Sequence, residues 1–369
     1  MNFEFTTLSK TTGEQVPVRD APDRSRYKRR AILILGMHRS GTSALTKTLG
    51  LCGAALPRGR MFAAPGNGEA EHWESPEICA LHEEIFYSLG SFTYDTLNIP
   101  SAWFGTVGVA YFKKRIIAVL RGEFGDEPLI VVKDPRACRL VPMWLSVFEE
   151  IGVEPLVVIP VRNPIEVAAS LSVRDGVELG NSLMLWMRSF LTAERDTRGV
   201  KRTFIAYTDL LQDWEVIVER IGADLGIAWP KKDATAAREI ESFLRTELRH
   251  HICATANFRE NPNIITVVKD AYEWALRATE GNPPDTAILD RIDKTLTLTS
   301  QFHNSRFRAF TAQANEHGRY SKMVIEISWS IRYAIHRALW PAKLAVIYLS
   351  RNGPEMTVAR IVEILRDRS

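Results

Sequence analysis

The amino-acid sequence predicts an α/β fold in which a central parallel β-sheet is flanked by helices and followed by a helical C-terminal extension. Short apolar runs typical of buried strands alternate with helical patterns up to about residue 230. Polar turns that contain glycine or proline directly follow several of these runs, and strand signals stop after residue 233. This alternation favours parallel strands joined by helical crossovers.

Four segments are predicted to be strands because they are short, apolar and bounded by turn residues. Each of them is followed by a polar motif or by a helical pattern, which is the order expected of strand–helix units. The predicted strands are AILIL (31–35), LIVV (129–132), PLVVIPV (155–161) and FIAY (204–207).

The predicted helices come after these strands. The last of them is expected to begin at Thr208 or Asp209, because both side chains are good caps for a helix N-terminus. The helical patterns lie near 43–52, 138–151 and 165–174, and over TDLLQDWEVIVERIGADLG (208–226).

The chain of 369 residues is long enough for one large domain or two modest ones. We predict a flexible, charged leader at 1–27 and a domain at 28–317. Within this domain, 28–230 is expected to be a nucleotide-binding core and 234–317 a helical extension that completes or covers it. Residues 319–369 are predicted to be a separable helical tail.

The tail contains the most apolar late stretch of the chain, residues 323–350. Charged residues interrupt it, so we expect no membrane span. Ile327, Ile331, Ile335 and Leu339 recur every four residues and predict one apolar stripe on a helix. We expect this helix to pack on the body or on a protein partner; peripheral binding at a membrane surface is the alternative.

The overall composition excludes several classes of protein. Lysine and arginine (47) exceed aspartate and glutamate (44) by only three residues, so no strong basic field predicts a nucleic-acid partner. The four cysteines form no CxxC pair or Cys/His cluster that would predict zinc. Isolated thiols, and the lack of a signal-like apolar core in the first thirty residues, predict a cytoplasmic protein.

A glycine-bracketed loop, GMHRSGTS, follows the first predicted strand. Gly36 and Gly41 allow the backbone to curl so that successive N–H groups converge on an anion. Thr42 and Ser43 would add hydroxyl donors at the start of the next helix, where the helix dipole also favours negative charge. The pattern predicts a P-loop-type phosphate site.

This loop differs from that of a nucleotide hydrolase at the residue after the second glycine. Such loops carry a lysine there, whereas this chain has Thr42 and places its cation at Arg39. Asp134, in VVKDP, is the nearest match to an aspartate that holds magnesium. A donor with a single 5′-phosphate therefore suits the loop better than a triphosphate, and we predict no metal.

Two further polar motifs, KDPR (133–136) and RNP (162–164), also follow predicted strands. Because ligands of parallel sheets bind outside the carboxyl ends of the strands, all of these motifs are expected to face one crevice. Arg162 and Ser170, on the next helix, can converge on one phosphate, for which an arginine fork is well suited. Alternatively, Arg162 caps a strand and Ser170 is a small residue at a helix contact.

Three motifs of the chain, taken in order, resemble the sulfotransferase family that uses 3′-phosphoadenosine 5′-phosphosulfate (PAPS). HRSGTS (38–43) is similar to the family's 5′-phosphosulfate loop, and the Arg162–Ser170 spacing to its 3′-phosphate signature. Tyr207 opens a Y-x-D-L stretch similar to a third signature. The resemblance covers 31–211 and implies that the donor is bound by His38, Arg39, Ser40, Gly41, Thr42, Ser43, Arg162, Ser170 and Tyr207.

The resemblance also implies a type of acceptor. The arginine in the loop and the K-D-P motif resemble the tyrosylprotein and bacterial glycan-type branches, which implies a hydroxyl acceptor on a glycan or other saccharide. The base of the cytosolic branch, a histidine shortly after Lys133, is absent because Asp134-Pro135-Arg136 follows. Arg136 is expected either to meet an anionic acceptor or to cap the following helix.

Sulfuryl transfer requires a cation at the leaving oxygen and a base for the proton of the acceptor. Arg39 is the first candidate for the cation and Lys133 the second, although Lys133 has a structural alternative in pairing with Asp134. The branches resembled here use a glutamate after the first helix. Candidates for that base are Glu74 first, then Glu71 and His72.

Two other functions remain open from the sequence. One is a P-loop kinase-like phosphotransferase with an altered loop. The other is a non-catalytic nucleotide-binding or scaffold protein that engages a partner through its helical tail.

Overall fold

The structure is a computed structural model that describes residues 29–58, 73–231, 233–244, 255–262, 264–281 and 283–302. The predicted leader at 1–27, the tail at 319–369 and its apolar stretch lie outside the described residues, as do the candidate bases Glu71 and His72.

The described residues form a four-stranded parallel sheet in the order β2-β1-β3-β4. Ile32 of β1 lies beside Val131 of β2 and Leu156 of β3, and Val158 of β3 lies beside Thr203 of β4. This confirms the predicted α/β fold. The strands are β1 (Arg29–Ile34), β2 (Leu129–Lys133), β3 (Val153–Val161) and β4 (Lys201–Ala206).

Helices connect the strands and continue past the sheet as a helical extension. Two short 3-10 helices, Ser101–Gly105 and Pro135–Arg139, lie before α3 and α4. The α-helices are α1 (Thr42–Leu51), α2 (Pro76–Ser88), α3 (Val107–Phe124), α4 (Val141–Glu150), α5 (Pro164–Asp175), α6 (Leu179–Asp196), α7 (Tyr207–Gln212), α8 (Trp214–Leu225), α9 (Ala234–Phe243), α10 (Thr255–Glu260), α11 (Thr266–Thr279) and α12 (Ala287–Phe302).

The strands differ from their predicted bounds by one to three residues at their ends, and two predicted helices are divided in the structure. The helix expected near 138–151 is divided, because Asp134 caps a 3-10 helix through the N–H of Arg136 and α4 begins only at Val141. The helix expected to begin at Thr208 or Asp209 is also divided. It starts one residue earlier, at Tyr207, and Asp213 then caps a second helix through the N–H of Val216.

The sheet is covered on both faces, so successive residues of β1 enter different cores. Ala31 and Leu33 pack with α2–α6 and the later helices α11 and α12, whereas Ile32 and Ile34 pack with α1, α7, α8 and α9. The four side chains are completely buried. Burial on both faces explains why the strands read as continuous apolar runs.

Ion pairs hold α12 against α6. Arg188 and Arg195 both bind Asp293, and Arg198 binds Asp290 and Glu194. We call these residues the α6–α12 network. Among the described residues, no helix combines the length and apolar character needed to cross a bilayer.

Candidate anion-binding and catalytic site

Every strand of the sheet delivers a polar or aromatic residue to the same edge. The glycine loop follows Ile34 of β1, Lys133 ends β2, Arg162 directly follows β3, and Tyr207 directly follows β4. The carboxyl ends of parallel strands are where ligands bind in open α/β sheets. The predicted crevice is therefore the candidate ligand site.

Both glycines of the loop are required by the backbone around them. A Cβ at Gly36 would come within 2.9 Å of Pro160 Cγ and Thr42 Cγ2. Gly41 has a φ of 84°, and a Cβ there would lie 2.1 Å from the ring of Tyr207. Larger residues at these two positions would push the loop away from the sheet.

The loop ends at the N-terminus of α1, where backbone N–H groups have no partner within the helix. Gly41 is the residue before the helix, and it has no side chain that could cap the helix. In addition, Ser40 Oγ and His38 Nε2 are buried without a hydrogen-bond partner among the described residues. Buried polar groups are normally satisfied, so these atoms indicate a place for a ligand.

The predicted anion residues Arg39, Arg162 and Ser170 lie in direct contact. Arg39 Nε donates to Ser170 Oγ at 2.7 Å, and Arg162 Nη1 donates to the backbone oxygen of Arg39 at 2.9 Å. Arg162 is fixed by Glu166 on α5 and by the ring of Tyr207, which lies 4.7 Å from its guanidinium carbon. Tyr207 thus supports both the loop and Arg162.

Arg39 differs from Arg162 in its charge balance. Arg162 pairs with Glu166, but no carboxylate lies within ion-pair distance of Arg39 among the described residues. Burial, together with Arg174 and Arg162 nearby, lowers the pKa of Arg39 from its usual range. A half-buried guanidinium among other cations is destabilised unless an anion joins it.

Arg174 and Tyr94 were not found by sequence reasoning. Arg174 lies on α5 one helical turn after Ser170, and its Nη2 donates to the hydroxyl of Tyr94 at 3.1 Å. The Tyr94 hydroxyl in turn donates to Asp175, and its ring meets the ring of His38 edge to face. The spacing of four residues between Ser170 and Arg174 was the signal that could have indicated one helix face.

These neighbours set the protonation of His38. Burial, followed by the charges of Arg174 and Arg136, keeps the pKa of His38 well below its usual value. His38 is therefore neutral at physiological pH. Burial also raises the pKa of Tyr94 to about 12, so its hydroxyl keeps its proton.

The second group in the crevice is formed by Lys133, Glu74 and Ser43. Lys133 Nζ donates to Glu74 Oε1 at 2.5 Å and to Ser43 Oγ at 3.0 Å. Lys133 is 3% and Glu74 6% exposed, so their pairing compensates two buried charges. Of the predicted bases, Glu74 is the one among the described residues, and it lies beside the start of α1.

Both carboxylate oxygens of Asp134 accept hydrogen bonds from neighbouring residues of the fold. Its Oδ2 accepts from His82 Nδ1 at 2.7 Å, and its Oδ1 accepts from the backbone and side chain of Arg136. Since the indole of Trp144 donates to His82 Nε2, His82 must carry its proton on Nδ1. Burial alone would raise the pKa of Asp134, but Arg136 and His82 hold it well below its usual value.

A metal would find no free ligands in this group. Glu74, Cys79 and Asp134 approach within 4.8 Å of one another. However, Glu74 accepts from Lys133 and from the thiol of Cys79, while Asp134 accepts from His82 and Arg136. The pKa of Cys79 is raised by burial and by the two carboxylates, so its thiol keeps its proton.

Comparisons with known proteins find no matching family model and no similar curated protein. Solved structures that can be superimposed on the chain include two sulfotransferase domains. The sulfotransferase domain from the Synechococcus PCC 7002 olefin synthase is 15% identical with a TM-score of 0.40, over 72% of this chain and 98% of that domain. The sulfotransferase domain from the curacin biosynthetic pathway is 14% identical with a TM-score of 0.35, over 73% and 98% of the two chains. These similarities are too distant to assign an activity to this chain.

Proposed function

We propose that the chain is a sulfotransferase that moves a sulfuryl group from PAPS to a hydroxyl acceptor. One observation carries this proposal: Arg39 is a half-buried cation with no carboxylate partner among the described residues, and it lies against Ser170 and Arg162. Arg162 and Ser170, which have the spacing of a 3′-phosphate signature, therefore meet a loop arginine that forms no ion pair with any described carboxylate.

The residues present fit a donor with anions at two places. Arg39, Arg162 and Ser170 would hold one phosphate, since a planar guanidinium binds phosphate oxygens in a fork. The N-terminus of α1, with Ser43 and Lys133, would hold the other anionic end. The buried, unpartnered Ser40 Oγ and His38 Nε2 supply further polar contacts between them.

The structure favours Lys133 over Arg39 for the leaving oxygen. The first expectation was Arg39, but its Nε is directed to Ser170, on the side assigned to the 3′-phosphate. Lys133 instead reaches Ser43 at the start of α1. A cation held there would stabilise the negative charge that grows on the leaving oxygen.

When bound, PAPS supplies an activated sulfuryl group whose S–O bond to phosphate breaks as the acceptor oxygen forms its own bond to sulfur. Glu74 takes the proton of the acceptor hydroxyl, and Lys133 holds that carboxylate in place at 2.5 Å. The same lysine therefore connects the donor loop to the base. Alignment of these groups is the main contribution expected of the protein.

The acceptor in this proposal is a saccharide hydroxyl, supported by the resemblance of the HRSGTS and K-D-P motifs to the glycan-type branch. We place the reaction in the cytoplasm, because the described cysteines Cys52, Cys79 and Cys138 are buried and form no disulfide, as in proteins of a reducing compartment. A magnesium-dependent kinase is disfavoured because both oxygens of Asp134 are already engaged.

Donor binding can be tested by thermal unfolding. A ligand that binds only the folded chain raises its stability by RT ln(1 + [L]/Kd). We expect 3′,5′-diphosphoadenosine (PAP) without magnesium to raise the melting temperature more than ATP with magnesium does. The opposite order would support the kinase-like alternative, and no shift with either nucleotide would contradict nucleotide binding.

Catalysis is tested by Glu74→Gln, which keeps the shape of the side chain but removes the base. We expect the transfer of labelled sulfate from PAPS to a polysaccharide fraction to fall about 100-fold, with PAP binding retained. A wild-type chain that binds PAP but transfers no sulfate would favour the non-catalytic alternative. Unchanged transfer by the variant would exclude Glu74 as the base.

A further inference from the structure

Trp73, directly before Glu74, has an unusual backbone conformation. Its φ is 53°, in the left-handed region that bulky side chains rarely adopt. Strained residues of this kind persist only where surrounding contacts hold them, and they cluster at functional sites. The backbone conformation of Trp73 sets the direction of the chain at Glu74. Contacts that hold the ring of Trp73 therefore also affect the position of the Glu74 carboxylate.

Lys47 lies between two aromatic rings at this point. Its Nζ is 5.5 Å from the ring centre of Trp73 and 4.1 Å from that of Phe243, the last residue of α9. No carboxylate lies within ion-pair distance of Lys47 among the described residues. The ammonium is therefore held by cation–π contacts, which attract it to the faces of both rings.

The position of Lys47 on α1 connects this contact to the reaction centre. Lys47 follows Ser43 by four residues, so the two side chains share one face of the helix. Ser43 accepts from Lys133, which binds Glu74, while Lys47 contacts the residue before Glu74. One face of α1 is thus connected to Glu74 in two ways: to its side chain through Ser43 and Lys133, and to its backbone through Lys47 and Trp73.

We propose that Lys47, with Phe243, is a positioning residue that fixes the strained Trp73 and so directs Glu74 toward Lys133. The expected effect of Lys47 on catalysis rests on the proposed function. Its effect on the positions of Trp73 and Glu74 does not. The helical extension enters the reaction centre in this way, since Phe243 belongs to α9 rather than to the sheet and its crossovers.

The structural part is tested through Cys79, whose Sγ lies 3.6 Å from Glu74 Oε2. Cys79 lies on α2 next to this segment, whereas Cys138 is completely buried in the 3-10 helix Pro135–Arg139 and serves as an internal control for global unfolding. The variants are Lys47→Met, which removes the charge, Lys47→Arg, which keeps it, and Phe243→Leu. Alkylation of each cysteine in the full chain is followed by peptide mass spectrometry.

We expect Lys47→Met and Phe243→Leu to raise the alkylation rate of Cys79 about 10-fold relative to Cys138, because a loosened contact opens locally. Lys47→Arg should restore the wild-type ratio, since arginine also binds aromatic faces. An unchanged ratio in Lys47→Met, or an equal rise at both cysteines, would overturn the proposal.

The catalytic part is tested with sulfate transfer. Lys47→Met should lower kcat about 10-fold, because small misplacements of a catalytic group are costly, while the affinity for PAP stays at the wild-type value. Rescue by Lys47→Arg completes the test. Failure of the wild-type chain to bind PAP would reject the proposed function, whereas normal kcat in Lys47→Met would reject only this inference.

Discussion

Two partly buried groups of charged residues in this molecule contain arginines, but they differ in how the arginine charges are balanced. In the α6–α12 network, Arg198 pairs with Glu194 and Asp290, and its pKa is raised, first by the hydrogen bond to Glu194. At the carboxyl edge of the sheet, Arg39 meets a serine and has its pKa lowered by burial, Arg174 and Arg162.

This difference distinguishes arginines that stabilise the fold from an arginine that is suited to bind an anionic ligand. A guanidinium with its own carboxylate is satisfied in the folded chain and holds two helices together. A buried guanidinium with other cations around it and no carboxylate costs stability until an anion binds. Substitutions in the two groups should therefore act on different measurements.

The largest effect is expected at Arg39. Arg39→Ala should weaken PAP binding about 100-fold, or about 2.7 kcal/mol, because a charge-assisted contact to phosphate is lost. Isothermal titration calorimetry at constant salt measures this loss. The variant is expected to unfold at the same or a higher temperature than the wild type without ligand, since an uncompensated cation is removed.

Arg39→Lys is the matched control that separates the effect of the positive charge from that of the planar guanidinium. A lysine keeps the cation but not the planar fork, so an intermediate loss of about 10-fold is expected. PAP affinity unchanged in Arg39→Ala would remove the basis for the proposed donor site.

The opposite pattern is expected in the α6–α12 network. Asp293→Ala leaves Arg188, whose side chain is 2% exposed, without its carboxylate. The free energy of unfolding should fall by about 2–3 kcal/mol, less than for a fully buried pair because Arg195 is partly exposed. Urea unfolding measures it, and PAP affinity should stay within about threefold of wild type. A larger loss of affinity would show that the two groups are coupled.

The smallest effect is a pH dependence at His38. Its pKa is lowered in the folded chain by burial and by Arg174, whereas in the unfolded chain the pKa is about 6.5. Below this pH the unfolded chain takes up a proton that the folded chain does not, so folding stability is lost as the pH falls. The loss is at most about 1.4 kcal/mol per pH unit.

His38→Asn provides the comparison for this pH effect. Urea unfolding from pH 7 to pH 5 should show a shallower fall in stability for the variant than for the wild type. Identical slopes would mean that His38 titrates normally in the folded chain.

Much of the fold could be predicted because its signals are local. Continuous apolar runs at residues 31–35 and 129–132 mark strands buried on both faces, and glycines at Gly36 and Gly41 mark a loop that no other residue fits. The division of helices at Asp134 and Asp213 was missed, because a capping side chain in the middle of a helical pattern is recognised only from its hydrogen bond.

The meeting of the motifs at one edge of the sheet could be predicted, but the contacts between their side chains could not. The alternation of strands and helices along the chain determined the parallel sheet. Because the motifs follow parallel strands, it also determined the edge at which the motifs and their cations meet. Tertiary structure alone decided that Arg39 reaches Ser170 across 131 residues and that Lys133 pairs with Glu74 across 59. The choice of partner for a buried charge depends on which side chains the fold brings within a few ångströms, and no periodic pattern in the chain records that choice.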